Sequence, residues 1–360
     1  MKVLFLPDGS RSNPYQRELA EALKRHGVDV TLSDGIGRLP ILGAIRARGK
    51  PDILHLHWTH GFLIASSRVK TVIKSLRFLF ELLVVKFLGI KIVWTVHNLL
   101  EHERHHPQLE LFFNRILVRL YDHLIVHCSF AREAVIQTYR LPDRSKAKIS
   151  IIPHGHYINS YENKLSQEEA RARMKLAKED RVFLYLGQIR PYKGVLQLID
   201  TFRKLESPQA KLVIAGKPAN EAIEAAVKKR CRLDNRILTF LQFVPDREIQ
   251  LYMNAADVAV FPYQDILTSG AALLAMSFGK PIIIPNIGCV PEIVDCQGGF
   301  LYDPSKEEGL LEALKQALGR DLATMGKHNI DKARNFDWDV IAQKTVEVYQ
   351  QYLSSQGVSK

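Results

Sequence analysis

The chain has 360 residues, 46% of them hydrophobic, and a formal net charge of +12. That length and apolar content can bury one large core or two ordinary ones, and the size favours two domains. The four cysteines, Cys128, Cys231, Cys289 and Cys296, lack the CxxC or Cys/His spacing of a zinc site, and MKVLFLPDGS is too short an apolar run for a signal peptide. A reduced, cytoplasmic protein without a metal site is expected. The charge is uneven: residues 1–155 hold 23 Lys+Arg against 13 Asp+Glu, an excess of +10, and the remainder holds 27 against 25, an excess of +2. An excess confined to one half points to an anionic partner there: a membrane surface, a pyrophosphate-linked molecule or nucleic acid. No helix-turn-helix, zinc finger or aromatic-studded RNA-binding sheet is visible, so nucleic acid is set aside.

In chain order, KVLFLP reads as a strand ending at Pro7-Asp8-Gly9, and Tyr15 to His26 has helical spacing stopped by Gly27. DVTLS, ILHLHW, KIVWTVH, HLIVHCS and KISIIP read as further strands. Residues 68–91, RVKTVIKSLRFLFELLVVKFLGIK, carry Lys74, Arg77, Glu81 and Lys86 among apolar residues, too many charges for a transmembrane helix. Two readings stay open for them: a core helix packed on the sheet, or a helix lying in a membrane interface with cations beside its apolar face. A joint falls near Pro153-His154-Gly155, and Ser160–Arg181 reads as a linker region with a first helix. The second half repeats the alternation with RVFLYLG, AKLVIAG, ILTFLQFV, VAVFPY and PIIIPN. Short apolar runs between helical patterns indicate parallel sheets covered on both faces. A last helix, Trp338 to Leu353, shows an apolar stripe at Val340, Ile341, Val346 and Tyr349.

Two segments carry phosphate chemistry. In FLYLGQIRPYKG an apolar strand ends at Gly187, and the loop after it brings Arg190 and Lys193 to the strand end, where open α/β sheets bind ligands. In FPYQDILTSGAALLAMSFGKP, Thr268-Ser269-Gly270 stands where a helix begins, and unpaired N–H groups and the helix dipole suit an anion there. Together they read as a diphosphate site. Histidines crowd the first half, among them His55, His57, His60, His97, His127 and His154, but no carboxylate or cysteine set completes a metal site. Glu101 and Glu103 follow His97 in HNLLEHE.

The order of these motifs, with VIAGKP, FVPDREIQLYMNAADVAVFP, PEIV and FDWDVIAQKTVEVYQQYL, resembles the GT-B glycosyltransferases over nearly the whole chain. The resemblance implies an α/β fold of two facing Rossmann-like domains with parallel sheets and an interdomain cleft. Residues 1–155 would bind the acceptor, 156–335 the nucleotide sugar, and 336–360 would form a helix crossing back to the first domain. It implies a nucleotide-sugar donor as co-substrate, no other cofactor, and no metal. Gly187, Arg190, Lys193, Thr268, Ser269 and Gly270 would hold the donor diphosphate, and Gly216, Lys217, Val244 and Glu292 the nucleoside. The loop with Gly9 and Asn13 would lie toward the acceptor. His97 would contact the transferring sugar, with His60, Glu101 and Glu103 as alternative bases.

One departure matters. Retaining members carry two glutamates eight apart, and here those positions hold Ile266 and Leu274. This leans toward inversion. A related set with SG at the first position includes β-mannosyltransferases, which points to GDP-mannose, with a UDP-sugar next. The implied acceptor is a glycolipid or polysaccharide, with the enzyme at the inner face of the cell membrane. The rival readings are a nucleotide-sugar epimerase of similar fold and a non-catalytic sugar- or nucleotide-binding subunit.

Overall fold

Runs of apolar residues too short to span a helix form two wholly parallel sheets in the computed structural model, which describes residues 1–11 and 13–353. In the first sheet β1 (Lys2–Leu6), β2 (Asp29–Leu32), β3 (Ile53–Leu56), β4 (Lys91–Thr95), β5 (His123–Val126) and β6 (Ile149–Ile151) lie in the order β2-β1-β3-β4-β5-β6. In the second, β7 (Arg181–Leu186), β8 (Ala210–Ala215), β9 (Ile237–Phe240), β10 (Val258–Val260), β11 (Ile282–Pro285) and β12 (Gly299–Tyr302) lie in the order β12-β11-β10-β7-β8-β9. The central strands β3, β5, β10 and β11 are buried along their whole length, as helices on both faces require. Each sheet has a point where the chain reverses its direction of growth, between β1 and β3 and between β7 and β10. Crevices outside the strand C-termini at such points are the ligand sites of doubly wound folds.

The chain divides into two compact units, Met1–Gly155 with the segment from Phe336 onward, and His156–Asn335. Residues 354–360 of the expected last segment lie outside the described residues. The helix Trp338–Leu353 belongs to the first unit, packing beside the helix Tyr15–Arg25. Its Trp338, Ile341, Val348 and Tyr349 join Phe5, Ile53, Val93 and Ile125 of the sheet in one core. The expected stripe is corrected here. Val340 is 48% exposed, and Trp338, Ala342, Thr345 and Val348 complete the buried face instead. The sheet, not the longest apolar arc, chooses which side of the helix turns inward.

β12 is a strand the sequence reading missed. Its GFLY is short and starts on a glycine, where an added Cβ would lie 2.8 Å from the Ile282 carbonyl oxygen. The segment Ser160–Arg181 lies in the second unit. Its helix Gln167–Met174 starts in a reciprocal cap, Ser166 accepting from the Glu169 amide and Glu169 from the Ser166 amide.

The last helix is tied to the sheet by a polar bond as well as by packing. Tyr349 Oη lies 2.6 Å from His55 Nδ1, and His55 Nε2 lies 2.7 Å from Thr95 Oγ1, all of them buried. Tyr349→Phe is expected to cost about 1–3 kcal/mol by stranding His55, and Tyr349→Ala about 3–5 kcal/mol by adding a cavity. Urea denaturation read by a first-unit probe checks both values. A cost below the error of the measurement for Tyr349→Ala would contradict this docking.

Candidate functional site

In the second unit, three loops leave the same sheet edge at the reversal point and are laced together by backbone. The Ile189 amide donates to the Lys217 carbonyl at 2.9 Å, and the Ala219 amide donates back to Ile189 at 2.9 Å. The Gln264 amide donates to the Tyr192 carbonyl at 2.8 Å, joining the loop after β7 to the loop after β10. Glycine makes the two closest approaches possible. Gly194 has φ +69°, and a Cβ there would overlap the Pro262 carbonyl; Gly216 has φ +151°, and a Cβ there would overlap the Gly187 carbonyl.

On this frame Arg190 is half-buried, its Nε donating to Gln188 Oε1 at 3.1 Å. Lys193 is half-buried too, with its ammonium over the rings of Tyr192, at 5.6 Å, and Tyr263, at 5.0 Å. Burial, aided by Arg190, pulls its pKa down to about 8. Tyr263 Oη and Ser269 Oγ share a hydrogen bond of 3.2 Å. Ser269, in extended conformation, caps the helix Gly270–Ser277 by accepting from the Ala272 amide at 3.1 Å. That leaves the Gly270 and Ala271 amides as first-turn donors at the edge where Lys193 lies. Thr268 is half-buried at the same turn.

Gly216 is buried and Lys217 exposed at the end of β8; Val244 is half-buried past β9; Glu292 is exposed on the short helix Val290–Ile293. All four follow strand C-termini of the second sheet. The loop before that last helix meets the turn ahead of Thr268, with the Cys289 amide donating to Leu267 at 2.9 Å. Ile266 is half-buried and Leu274 buried, so neither position offers a carboxylate. A separate cavity of about 740 Å³ lies along edge strand β12, lined by Phe300, Tyr302, Lys306 and Lys315. It contains none of the expected residues.

In the first unit, the edge at the reversal point is built from histidine. His127 Nδ1 lies 2.9 Å from the Ile152 carbonyl, which can only accept, so Nδ1 carries the proton. Burial keeps this ring and its neighbours neutral, with His127 at about 4 and His57 and His97 well below the usual imidazole value. His127 Nε2 is then a lone pair that accepts from His97 Nδ1 at 3.4 Å, and His97 Nε2 accepts from His57 Nδ1 at 3.2 Å. The chain of tautomers ends at His57 Nε2, a buried lone pair with no partner among the described residues. His97 also stacks on Trp58 at 4.3 Å and meets Tyr15 edge-on at 4.9 Å.

A polar cavity of about 10 Å³, room for one water, is lined by His57, Thr59, His60, His97, Asn98, Glu110 and Asn114 among others. Glu101 is not on that wall. Its carboxylate binds His105 Nδ1 at 2.9 Å, and its amide donates to both Glu110 oxygens at 2.9 and 3.0 Å. Glu110, which the sequence reading overlooked, is buried on the helix Pro107–Leu117, and burial raises its carboxyl to about 7. Its only sequence signal was a carboxylate on the inward side of an amphipathic helix. Gly9 has a structural reason of its own: an added Cβ would lie 2.6 Å from the Trp58 ring. Its amide donates to buried Gln16 Oε1 at 2.6 Å, and the Asn13 carboxamide accepts from the Tyr15 amide at 2.9 Å.

Six buried histidines of this unit, His55, His57, His97, His123, His127 and His154, have folded values below the ordinary 6.5. The unfolded chain therefore binds protons the folded one refuses. Their contribution is complete above about pH 6.5 and is lost as pH falls toward the folded values, at about 1.4 kcal/mol per pH unit for each histidine. Urea midpoints are expected to drop steeply from about pH 6.5 to about pH 5. A flat profile there would show that the cluster takes up protons without unfolding.

Comparison with known proteins bears on both halves. The model of glycosyl transferases group 1 matches residues 166–335, and that of glycosyltransferase family 4 matches residues 33–158. GDP-mannose:glycolipid 4-beta-D-mannosyltransferase of Xanthomonas campestris is 29% identical over 266 residues, 73% of this chain and 70% of that protein. Among solved structures, sucrose-phosphate synthase from Thermosynechococcus elongatus superposes with TM-score 0.77 at 18% identity, covering 98% of this chain and 99% of that one. Anabaena Alr3699/HepE, in complex with UDP-glucose, superposes with TM-score 0.73 at 19% identity over 99% and 100% of the two chains. At such identities the structural likeness speaks for the fold alone.

Proposed function

The chain belongs to the group 1 glycosyltransferases, enzymes of the two-domain α/β GT-B fold that use a nucleotide-sugar donor, and on that premise we propose that it moves mannose from GDP-mannose to a glycolipid or polysaccharide acceptor, with a UDP-sugar as the next donor to test. The observation that carries this reading is the meeting of a cationic loop and a helix start at the reversal point of the second sheet. Arg190 and Lys193 supply charge, the Thr268–Ser269–Gly270 turn supplies amide donors, and Gly187 keeps the strand end open. Such fixed donors stabilise a departing diphosphate without a metal. Gly216, Lys217, Val244 and Glu292 are assigned to the nucleoside. The relative from Xanthomonas campestris supports mannose and a glycolipid. The missing carboxylates at Ile266 and Leu274 support inversion. A lipid-borne acceptor puts the enzyme in the cytoplasm against an anionic membrane surface.

An inverting transfer to a hydroxyl needs a proton acceptor. His97 is neutral with both ring nitrogens engaged, so its assigned part is contact with the sugar. The base is drawn from His60, Glu101 and Glu110. Glu110, at about 7, has the proton affinity that suits the task. Gly9 and Asn13 shape the loop assigned to the acceptor.

Arg190→Ala and Lys193→Ala are each expected to weaken nucleoside-diphosphate binding by about 1.5 kcal/mol or more in calorimetry, as loss of a charged hydrogen bond does. Wild-type affinity should also fall as pH rises through about 8, where Lys193 loses its charge, and Lys193→Arg should remove that dependence. Unchanged affinity in both alanine variants removes the clamp.

His97→Ala and Glu110→Gln are expected to keep that affinity and lower transfer about 10²-fold. Wild-type turnover should climb with pH through about 7, a limb that Glu110→Gln loses. A limb that persists in the Gln variant removes Glu110 as the base.

A further inference from the structure

The helix Arg68–Phe87 carries apolar residues on its solvent face as well as on its packed one. Its face toward the unit holds Thr71, Ser75 and Glu81 beside Phe78, Leu82 and Val85, all buried. The hydroxyls of Thr71 and Ser75 donate to the carbonyls of Ala65, at 3.1 Å, and Leu63, at 3.3 Å. One Glu81 oxygen accepts from the Ile41 and Leu42 amides, at 2.8 and 3.1 Å, capping the helix Pro40–Arg48. Toward solvent stand Val69, Ile73, Leu76, Phe80, Leu83 and Phe87, from 50% exposed at Leu83 to 91% at Phe87. At about 100° per residue these six fall within an arc of about 80°, along a helix about 30 Å long. A surface helix ordinarily shows the reverse pattern, and so long an exposed apolar face marks a contact surface. The neighbouring helix Pro107–Leu117 adds Phe112, 58% exposed.

The charges choose the occupant. Exposed Arg68 stands on one side of the apolar arc and exposed Lys70 on the other; Lys86 is held by Asp122 at 2.7 Å and Arg77 lies 3.9 Å from Glu81, so neither is counted. Glu81 is the only acidic residue of the helix, and it is buried. A second copy seated on this face would bring the Arg68 and Lys70 cations against their own kind with no exposed carboxylate on the helix to pair them, the reverse of a coiled-coil seam. An anionic bilayer satisfies both features, taking the apolar side chains at the acyl boundary and the cations at the headgroups. No helix among the described residues is long and apolar enough to cross a membrane, so the helix lies in the interface.

We infer that the helix Arg68–Phe87 docks the first unit on an anionic lipid bilayer, inserting Val69, Ile73, Leu76, Phe80, Leu83 and Phe87 between lipid headgroups. This rests on the proposed lipid-borne acceptor only for its purpose; the surface itself is independent of it. Lys74 takes no part, because its ammonium donates to the Ile64 carbonyl at 2.8 Å and helps hold the helix to the unit.

The test is co-sedimentation of the full chain with phosphatidylcholine vesicles with and without phosphatidylglycerol, at low and high salt. Wild type should bind the anionic vesicles, and a part of that binding should survive high salt. Phe80→Gln with Phe87→Gln should weaken binding about tenfold or more. Arg68→Gln with Lys70→Gln should remove the salt-sensitive part. Thermal midpoints and nucleoside-diphosphate affinity should stay at wild-type values in both double variants. Binding that the phenylalanine variant leaves intact, or that salt abolishes completely, overturns insertion. So does a concentration-dependent dimer that the phenylalanine variant dissolves. Transfer to a detergent-solubilised acceptor without vesicle binding removes this surface and keeps the transferase reading; vesicle binding without transfer does the opposite.

Discussion

Parallel pairing is the constraint from which the rest of this protein follows. Every strand of each sheet points the same way, so every strand-to-helix loop leaves at one edge. The reversal of strand order then opens that edge between β1 and β3 and between β7 and β10. Arg190, Lys193 and Ser269 are separated by up to 79 positions in the numbering and by three strands, yet the backbone bond from Gln264 to Tyr192 joins their loops. The glycines at 194 and 216 matter for the same reason, since each stands where another loop's carbonyl leaves no space for a side chain.

The two units meet burial differently. In the second unit, burial lowers the proton affinity of Lys193 yet leaves it a cation at neutral pH, sharpening its attraction for an anion. In the first, burial makes a row of imidazoles neutral and fixes their tautomers through a single carbonyl, that of Ile152. The row gives up proton uptake and gains direction: each ring donates one way and accepts the other. Glu110 shows the same force with the opposite sign, held near neutrality because its charge is poorly solvated. Neighbouring groups that titrate far apart are the usual material of acid–base sites.

The helix Arg68–Phe87 adds a third use of polarity. Hydroxyls and a carboxylate hold it to the unit beside Phe78, Leu82 and Val85, and a second set of apolar residues faces outward. The sequence left two readings open, a core helix and an interfacial one. The helix packs on the unit through a face that is half polar and half apolar, and turns a second apolar face to solvent.

Much of the architecture was legible because it is written in local pattern. Short apolar runs, a glycine after the helix Tyr15–Arg25, a serine ahead of Gly270 and the unbroken period of Trp338–Leu353 act over a few residues each. They located eleven of the twelve strands and the motifs shared with the group 1 glycosyltransferases. Tertiary structure decided what local pattern does not contain. It turned Val340 outward and Val348 inward, because the sheet sets the rotation of the helix. It paired β12, a strand with a glycine where a side chain should advertise it. It put Glu110 on the cavity wall and Glu101 against His105, since which carboxylate faces a cavity depends on residues far along the chain. It engaged both nitrogens of His97, which no spacing in the sequence reveals. Periodicity says that a side chain is apolar or polar; only packing says what stands opposite it.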